Sequence, residues 1–233
     1  MTQKLVLFDI DGTLLISNGA GRRALITVLS EKIGDPAVFG RVRFDGKTDP
    51  QIIVELLREA GHDEPSRDAL VEPMAEQYLE LLEAELVSPD GPRPALMPGA
   101  TELLDLLDDD ERVTLGLVTG NLVRGAALKL RSVGIDPERF AVGAFGSDSA
   151  NRPDLPPIAA QRAEPFFGRI PTGEEIVIIG DTPADVTCGQ SLGVRAIAVA
   201  TGNYSSEELS AAGAYFVVEN LVDTSSVIDA IFA

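Results

Sequence analysis

Apolar residues along this chain follow two rhythms. Leu5-Val6-Leu7-Phe8 is a short unbroken apolar run, the pattern of a strand covered on both faces, and it stops abruptly at Asp9, Asp11 and Gly12. From about residue 16 to about residue 90 the spacing is helical throughout. Arg22 to Leu29 reads as one helix. Asp49-Pro50 reads as a capped helix start followed by Ile52, Ile53, Leu56 and Leu57, and Asp68 to Leu86 sets Leu70, Met74, Tyr78, Leu81 and Leu82 on one face. No strand pattern interrupts this stretch. Three prolines and a glycine between Ser88 and Pro94 then rule out any regular element and read as a linker returning the chain to its first domain.

Beyond the linker the rhythm alternates. Helices are expected over Gly99 to Asp109, Leu122 to Val133, near Leu155 to Ala163, and over Ala184 to Leu192. Strands are expected over Val113 to Val118, Val142 to Phe145, Ile176 to Ile179, Val194 to Val199 and Tyr215 to Val218. Strands alternating with helices predict an α/β fold with a doubly wound parallel sheet. The expected division is a catalytic core of residues 1–15 and 96–233, with an all-helical domain of residues 16–95 inserted into it.

Composition narrows the function. The 233 residues carry 19 Lys and Arg against 37 Asp and Glu, a net charge of −18, which disfavours nucleic acid as a partner. A small phosphorylated metabolite stays open if a cation and a few basic side chains reverse the field locally. A lone cysteine, Cys188, excludes an intrachain disulfide and reads as a small buried hydrophobe. With no signal-peptide pattern and no apolar run long enough to cross a membrane, the cytoplasm is the expected compartment and a membrane is not an expected partner. Oligomeric state is left open.

Asp9-Ile10-Asp11-Gly12 alone is good turn chemistry as well as a candidate site. A calcium loop starting at Asp9 is disfavoured, because Leu14 and Ala20 stand where such a loop needs glycine and glutamate. Two further strands end in polar groups: Val118 in Thr119-Gly120-Asn121, and Ile179 in Gly180-Asp181-Thr182-Pro183-Ala184-Asp185. In a parallel sheet the carboxyl ends line one crevice, so Asp9, Asp11, Thr119, Asp181 and Asp185 should converge. Converging carboxylates call for a hard divalent cation, and Mg2+ suits an oxygen-only set that leaves room for a phosphate. Gly120 and Asn121 are expected to begin a helix whose N–H groups would favour phosphate oxygens.

These three segments resemble motifs one, two and four of the haloacid dehalogenase superfamily, nearest its phosphoglycolate phosphatase-like branch. The resemblance implies a Rossmann-like core with an inserted helical cap, and a phosphatase acting on a small phosphomonoester. Asp9 would be the nucleophile and Asp11 the general acid and then base. Asp9, Asp181 and the Asp11 backbone carbonyl would hold Mg2+, with Asp185 close behind or reaching the ion through water. The family's third-motif lysine is replaced here by Arg152 in Asn151-Arg152-Pro153-Asp154, whose fixed charge can bind phosphate, although an exposed loop arginine would look the same. Lys47 in Asp45-Gly46-Lys47-Thr48-Asp49 is a candidate substrate contact or part of an ordinary loop. Arg22 and Arg23 are expected to solvate a helix face, and His62 to be a solvated loop residue. The rival readings are a sugar phosphomutase on the same scaffold and a non-catalytic phospho-ligand binding module; dehalogenation is disfavoured by Asp11.

Overall fold

The computed structural model describes residues 3–62 and 71–233. Strand β1 (Lys4–Phe8) is buried along its whole length. Its unbroken apolar run divides by alternation, because successive side chains of a strand point to opposite faces. Val6 and Phe8 join one core cluster while Leu5 and Leu7 join another on the opposite face.

A two-residue strand β2 (Leu15–Ile16) follows, then α1 (Ala20–Ile33), α2 (Asp49–Glu59) and α3 (Glu72–Val87), then strand β3 (Ala95–Leu96). β2 and β3 pair antiparallel, Leu15 with Leu96 and Ile16 with Ala95, where the chain leaves the sheet layer and returns to it. The expectation of no strand between about residues 16 and 90 is corrected only at Ile16, because a two-residue ribbon is too short to show a period. The three helices share an apolar cluster of their own, including Leu25, Leu29, Ile53, Leu56, Leu57, Met74, Tyr78, Leu79 and Leu82. On α3 Leu79 is buried beside Met74, Tyr78 and Leu82, Leu81 packs half-buried against the same cluster, and the proposed start of that helix at Asp68 and Leu70 lies outside the described residues.

The remaining elements alternate: α4 (Ala100–Asp108), β4 (Val113–Thr119), α5 (Val123–Ser132), β5 (Val142–Phe145), α6 (Leu155–Arg162), the single turn α7 (Glu164–Phe167), β6 (Ile176–Gly180), α8 (Pro183–Cys188), β7 (Arg195–Val199), α9 (Ser206–Ala211), β8 (Phe216–Val218) and α10 (Thr224–Phe232). The six long strands form one parallel sheet in the order β5-β4-β1-β6-β7-β8. The chain builds outward from β1 through β4 to β5, then returns to β6 on the other side of β1. The order thus reverses beside β1, and the crevice at such a reversal is where open α/β sheets bind ligands.

Three helices escaped the sequence pattern because they are short or terminal. α9 starts in a capping box between Ser205 and Glu208, and α10 is capped by Asp223, which accepts from Ser226 N at 3.2 Å. α10 sends Val227, Ala230 and Ile231 into the core on the Val6 and Phe8 face. α8 stops at Cys188 instead of continuing to Leu192. The next residue, Gly189, lets Val194 pack closely, since a Cβ there would lie 2.1 Å from the Val194 side chain, and the chain continues as a tighter turn over Gln190–Leu192.

Candidate active site

The carboxyl ends of β1, β4 and β6 meet in one pocket. Asp9 follows β1 directly, its N–H still donating to Ile179 O at 2.9 Å, so the ladder to β6 fixes where its side chain points. Asp181 follows β6 at the matching level. Asp185 is drawn beside them by the first turn of α8, where Thr182 caps the helix: Asp185 Oδ2 accepts from Thr182 N at 3.0 Å and from Thr182 Oγ1 at 2.7 Å. One carboxylate oxygen from each of Asp9, Asp181 and Asp185 lies within 4.8 Å of the others, and all three residues are buried.

Glycines make this crowding possible. Gly12 turns with φ of +85°, and a Cβ there would stand 2.3 Å from Asp181 Oδ2; a Cβ on Gly202 would stand 1.8 Å from the same oxygen. The Asp181 carboxylate is therefore walled by backbone on two sides. Thr13 Oγ1 adds a hydrogen bond to its Oδ1 at 3.3 Å.

Electrostatics mark the trio as short of positive charge. Burial pushes the Asp9 carboxyl up, with Arg152 pulling it down and Asp185 and Asp11 adding to the rise. Burial likewise pushes Asp181 up, reinforced by Asp185 and Asp9. A hard divalent cation among these oxygens would supply the missing charge, and an all-oxygen donor set in a buried pocket suits magnesium.

Arg152 is the local counter-charge. It lies in the turn before α6, is buried at 5% exposure, and pairs with Asp9 Oδ1 at 3.1 Å and with Asp185. Burial opposes its charge, but Asp185 and Asp9 outweigh that and hold the guanidinium firmly protonated. The exposed-loop alternative for this residue is thus excluded. Its Nε has no hydrogen-bond partner among the described residues.

Asp11 lies apart from the trio. Its Oδ2 accepts from Asn121 Nδ2 at 2.9 Å and from Lys129 Nζ at 2.6 Å, and Asn121 Nδ2 also donates to Thr119 Oγ1 at 2.8 Å. Lys129 was missed in the sequence. The signal was present, since α5 buries Gly125, Ala126, Lys129 and Leu130, and a lysine on the apolar stripe of a helix needs a buried partner. Asp11 and Asp49 outweigh the burial of Lys129 and keep its ammonium charged.

Two expectations are corrected at the start of α5. Gly120 and Asn121 do not begin the helix, which starts at Val123, and its first N–H groups are taken: Leu122 N donates to Asp49 Oδ2 at 2.9 Å and Val123 N to Ser147 Oγ at 3.0 Å. Asp49 in turn is not the cap of α2. Thr48 caps it, accepting from Gln51 N at 3.2 Å, which frees the Asp49 carboxylate to cross to α5. Gly120 instead allows close approach, because a Cβ there would lie 2.1 Å from the Lys47 carbonyl oxygen.

The loop from Asp45 to Asp49 is consequently seated on the sheet layer. Asp45 accepts from Asn203 Nδ2 at 3.1 Å, Thr48 Oγ1 donates to Ala150 O at 2.8 Å, and Asp49 N donates to Gly120 O at 2.8 Å. Beneath it is a cavity of about 510 Å³ whose lining includes Asp9, Asp11, Arg22, Arg43, Lys47, Tyr78, Lys129 and Arg152. Lys47 reaches the lining while paired with Glu55. Arg22 lines it too, donating to Phe39 O at 2.6 Å and lying 4.5 Å over the Phe44 ring, so it does more than solvate a helix. Arg23 pairs with Glu85 at 2.7 Å on the helix face. His62 stays outside the site but has a partner, the Lys32 carbonyl at 3.2 Å. Cys188 is a buried thiol, pushed up to about 12 mainly by burial.

The profile of haloacid dehalogenase-like hydrolases matches residues 6–199, which takes in every strand end just described except the turn at Gly202. The chain belongs to this family. It is 24% identical over 221 residues to glycerol-1-phosphate phosphohydrolase 2 of Saccharomyces cerevisiae, covering 92% of this chain and 81% of the yeast protein. Among solved structures it resembles a hydrolase from Pseudomonas syringae, with TM-score 0.75, 25% identity and 98% of both chains covered. It also shares its fold with CbbY from Rhodobacter sphaeroides, solved in complex with phosphate, at TM-score 0.73 and 21% identity over 95% of this chain and 96% of the other. No helix among the described residues is long and apolar enough to cross a membrane.

Proposed function

We propose that this member of the haloacid dehalogenase-like hydrolases is a magnesium-dependent phosphatase of a small phosphomonoester, similar to phosphoglycolate phosphatases. The observation that carries the reading is the separation of two carboxylates along one turn. Asp9 sits with Asp181, Asp185 and Arg152, whereas Asp11 is turned toward Lys129 and Asn121. One aspartate is thereby set up to attack phosphorus and the other to handle protons.

In the first half-reaction an Asp9 oxygen forms a bond to phosphorus while the bond from phosphorus to the alcohol oxygen breaks, and Asp11 gives its proton to that departing oxygen. In the second, Asp11 takes a proton from water as the water oxygen bonds to phosphorus, the bond from phosphorus to Asp9 breaks, and inorganic phosphate leaves. Arg152 carries positive charge beside the transferred group and holds Asp9 in its rotamer. Thr119, at the end of β4, draws the Asp9 carboxyl down from that side. Magnesium would be held by Asp9 and Asp181, with Asp185 behind them because its oxygens are engaged by Thr182 and Arg152. When bound it neutralises the carboxylates and draws charge from the phosphoryl oxygens. Residues 16–95 would form a cap over the core of residues 1–15 and 96–233, with Lys47, Gly120 and Asn121 lining the substrate's approach.

Phosphate release from a panel of metabolite phosphoesters tests the reading. Asp9→Asn should abolish turnover, and Asp11→Asn should lower it by roughly 10²- to 10⁴-fold, the usual weight of a general acid and base. Undiminished turnover in either variant removes the role assigned to it. A product that keeps its phosphoryl group would favour a phosphomutase, and no turnover on any ester a binding module.

A further inference from the structure

Lys129 lies outside the three motif segments, yet its ammonium is buried in the site at 5% residue exposure. Nζ donates at 2.6 Å to Asp11 Oδ2 and at 2.6 Å to Asn121 Oδ1. Asn121 closes the ring by donating through Nδ2 to the same Asp11 oxygen at 2.9 Å. Two donors thus converge on Oδ2. Asp11 Oδ1 meets the Ser17 hydroxyl at a long 3.4 Å. On one side the ammonium is approached by α1, where a Cβ on Gly21 would stand 3.3 Å from the Tyr78 hydroxyl and 3.7 Å from Nζ.

We propose that Lys129 is a positioning residue for Asp11. Anchored on α5, a helix packed on the sheet, it fixes Oδ2 together with Asn121 and so leaves Oδ1 as the oxygen that exchanges the proton with the leaving group and then with water. The simpler alternative is that Lys129 only neutralises buried acid. Against it, the ammonium spends a second hydrogen bond on the neutral amide oxygen of Asn121, which does nothing for charge balance but locks the direction from which Oδ2 is held.

The proposal rests on the reading of Asp11 as proton donor, and the choice of leaving group separates the two. p-Nitrophenolate departs with little need of a proton, whereas phenolate needs one more, so a misplaced acid harms hydrolysis of phenyl phosphate selectively. Both esters are assayed with magnesium using the wild type, Lys129→Met, Lys129→Gln and Asp11→Asn. In Lys129→Met, kcat/KM on phenyl phosphate, which reports the reaction up to departure of the leaving group, should fall at least about tenfold further than kcat/KM on p-nitrophenyl phosphate, part of the ~10²- to 10⁴-fold available to a general acid, whereas hydrolysis of the shared intermediate slows alike for both esters. Lys129→Gln, less disruptive to packing, should show the same selectivity, so a Met variant that fails to fold does not end the test. Equal losses on both esters, or no loss, in the folded Lys129 variant overturn the proposal even where Asp11→Asn is selective. If Asp11→Asn is itself unselective between the two esters, the underlying reading of Asp11 falls and the proposal with it.

Discussion

The Asp49 carboxylate accepts a hydrogen bond from Leu122 N at 2.9 Å, so the first residue of α2 satisfies an N–H at the start of α5 although 73 positions separate the two. This buried contact joins the helical layer to the sheet layer. Burial raises the Asp49 carboxyl to about 6, against the pull of Lys129 and of Leu122 N. A raised carboxylate pKa means that the native state binds a proton the unfolded chain has already released. Stability from this group is therefore fully present below about pH 4 and is lost as the pH rises through about 6. Asp49→Asn keeps an acceptor for Leu122 and removes the titration. Relative to that variant, the wild type should lose up to about 3 kcal/mol of unfolding free energy between pH 4 and pH 7, read by urea denaturation. A difference between the two proteins that does not change with pH would show that the buried carboxylate is not under this strain.

Arg152 is flanked by Asp9 at 3.1 Å and by Asp185, with both carboxylates buried. Removing one partner of a buried ionic set leaves the rest uncompensated, typically at about 3–5 kcal/mol. Arg152→Met should accordingly lower the unfolding free energy of the metal-free protein by that order, and Arg152→Lys by less because the charge survives without the fork. Measured destabilisation below about 1 kcal/mol for Arg152→Met would show that the fold does not depend on this buried ionic set.

The strand ends were legible in the sequence because an apolar run followed at once by carboxylates is a local signal. Asp9, Asp181 and Asp185 converge as the parallel order requires. Arg152 was readable from its position before Pro153, but its burial was not, since burial depends on how the turn before α6 folds under the sheet ends. Lys129 and Asp49 were missed for a shared reason: each makes its key contact more than 70 positions away. Local capping rules made Asp49 a helix cap, and they were one residue out because Thr48 takes that role more cheaply with an uncharged hydroxyl. The ribbon of β2 and β3 and the helix α10 escaped because two residues, or nine at a chain end, carry too little periodicity to stand out.

Magnesium should change stability as well as rate. Burial and neighbouring carboxylates, Asp185 and Asp11 among them, raise both Asp9 and Asp181, so a cation held between them relieves an existing cost. At a free concentration of 100 times Kd, a ligand that binds only the native state adds about 2.7 kcal/mol. Thermal unfolding with magnesium and with chelator should show a clear rise in Tm for the wild type, and Asp181→Asn should remove most of it. An identical magnesium shift in Asp181→Asn would place the cation elsewhere.

Gly202 offers a steric test of the same carboxylate. Its φ is not in the left-handed region, so alanine is tolerated by the backbone itself, yet the added methyl would stand 1.8 Å from Asp181 Oδ2. One of the two must move, and Thr13 and the Gly12 backbone already confine Asp181 from the other side. Misplacement of a reacting constellation by about 1 Å can cost on the order of 10²-fold, so Gly202→Ala should lower phosphatase kcat/KM by at least about tenfold and shrink the magnesium shift in Tm. Gly134→Ala is the control. That position has φ of +83° and no atom within 4 Å of the added Cβ, so it should cost about 1–2 kcal/mol of backbone strain while leaving kcat/KM unchanged. If Gly202→Ala retains full activity and a full magnesium shift, Asp181 is not the confined ligand that its backbone walls imply.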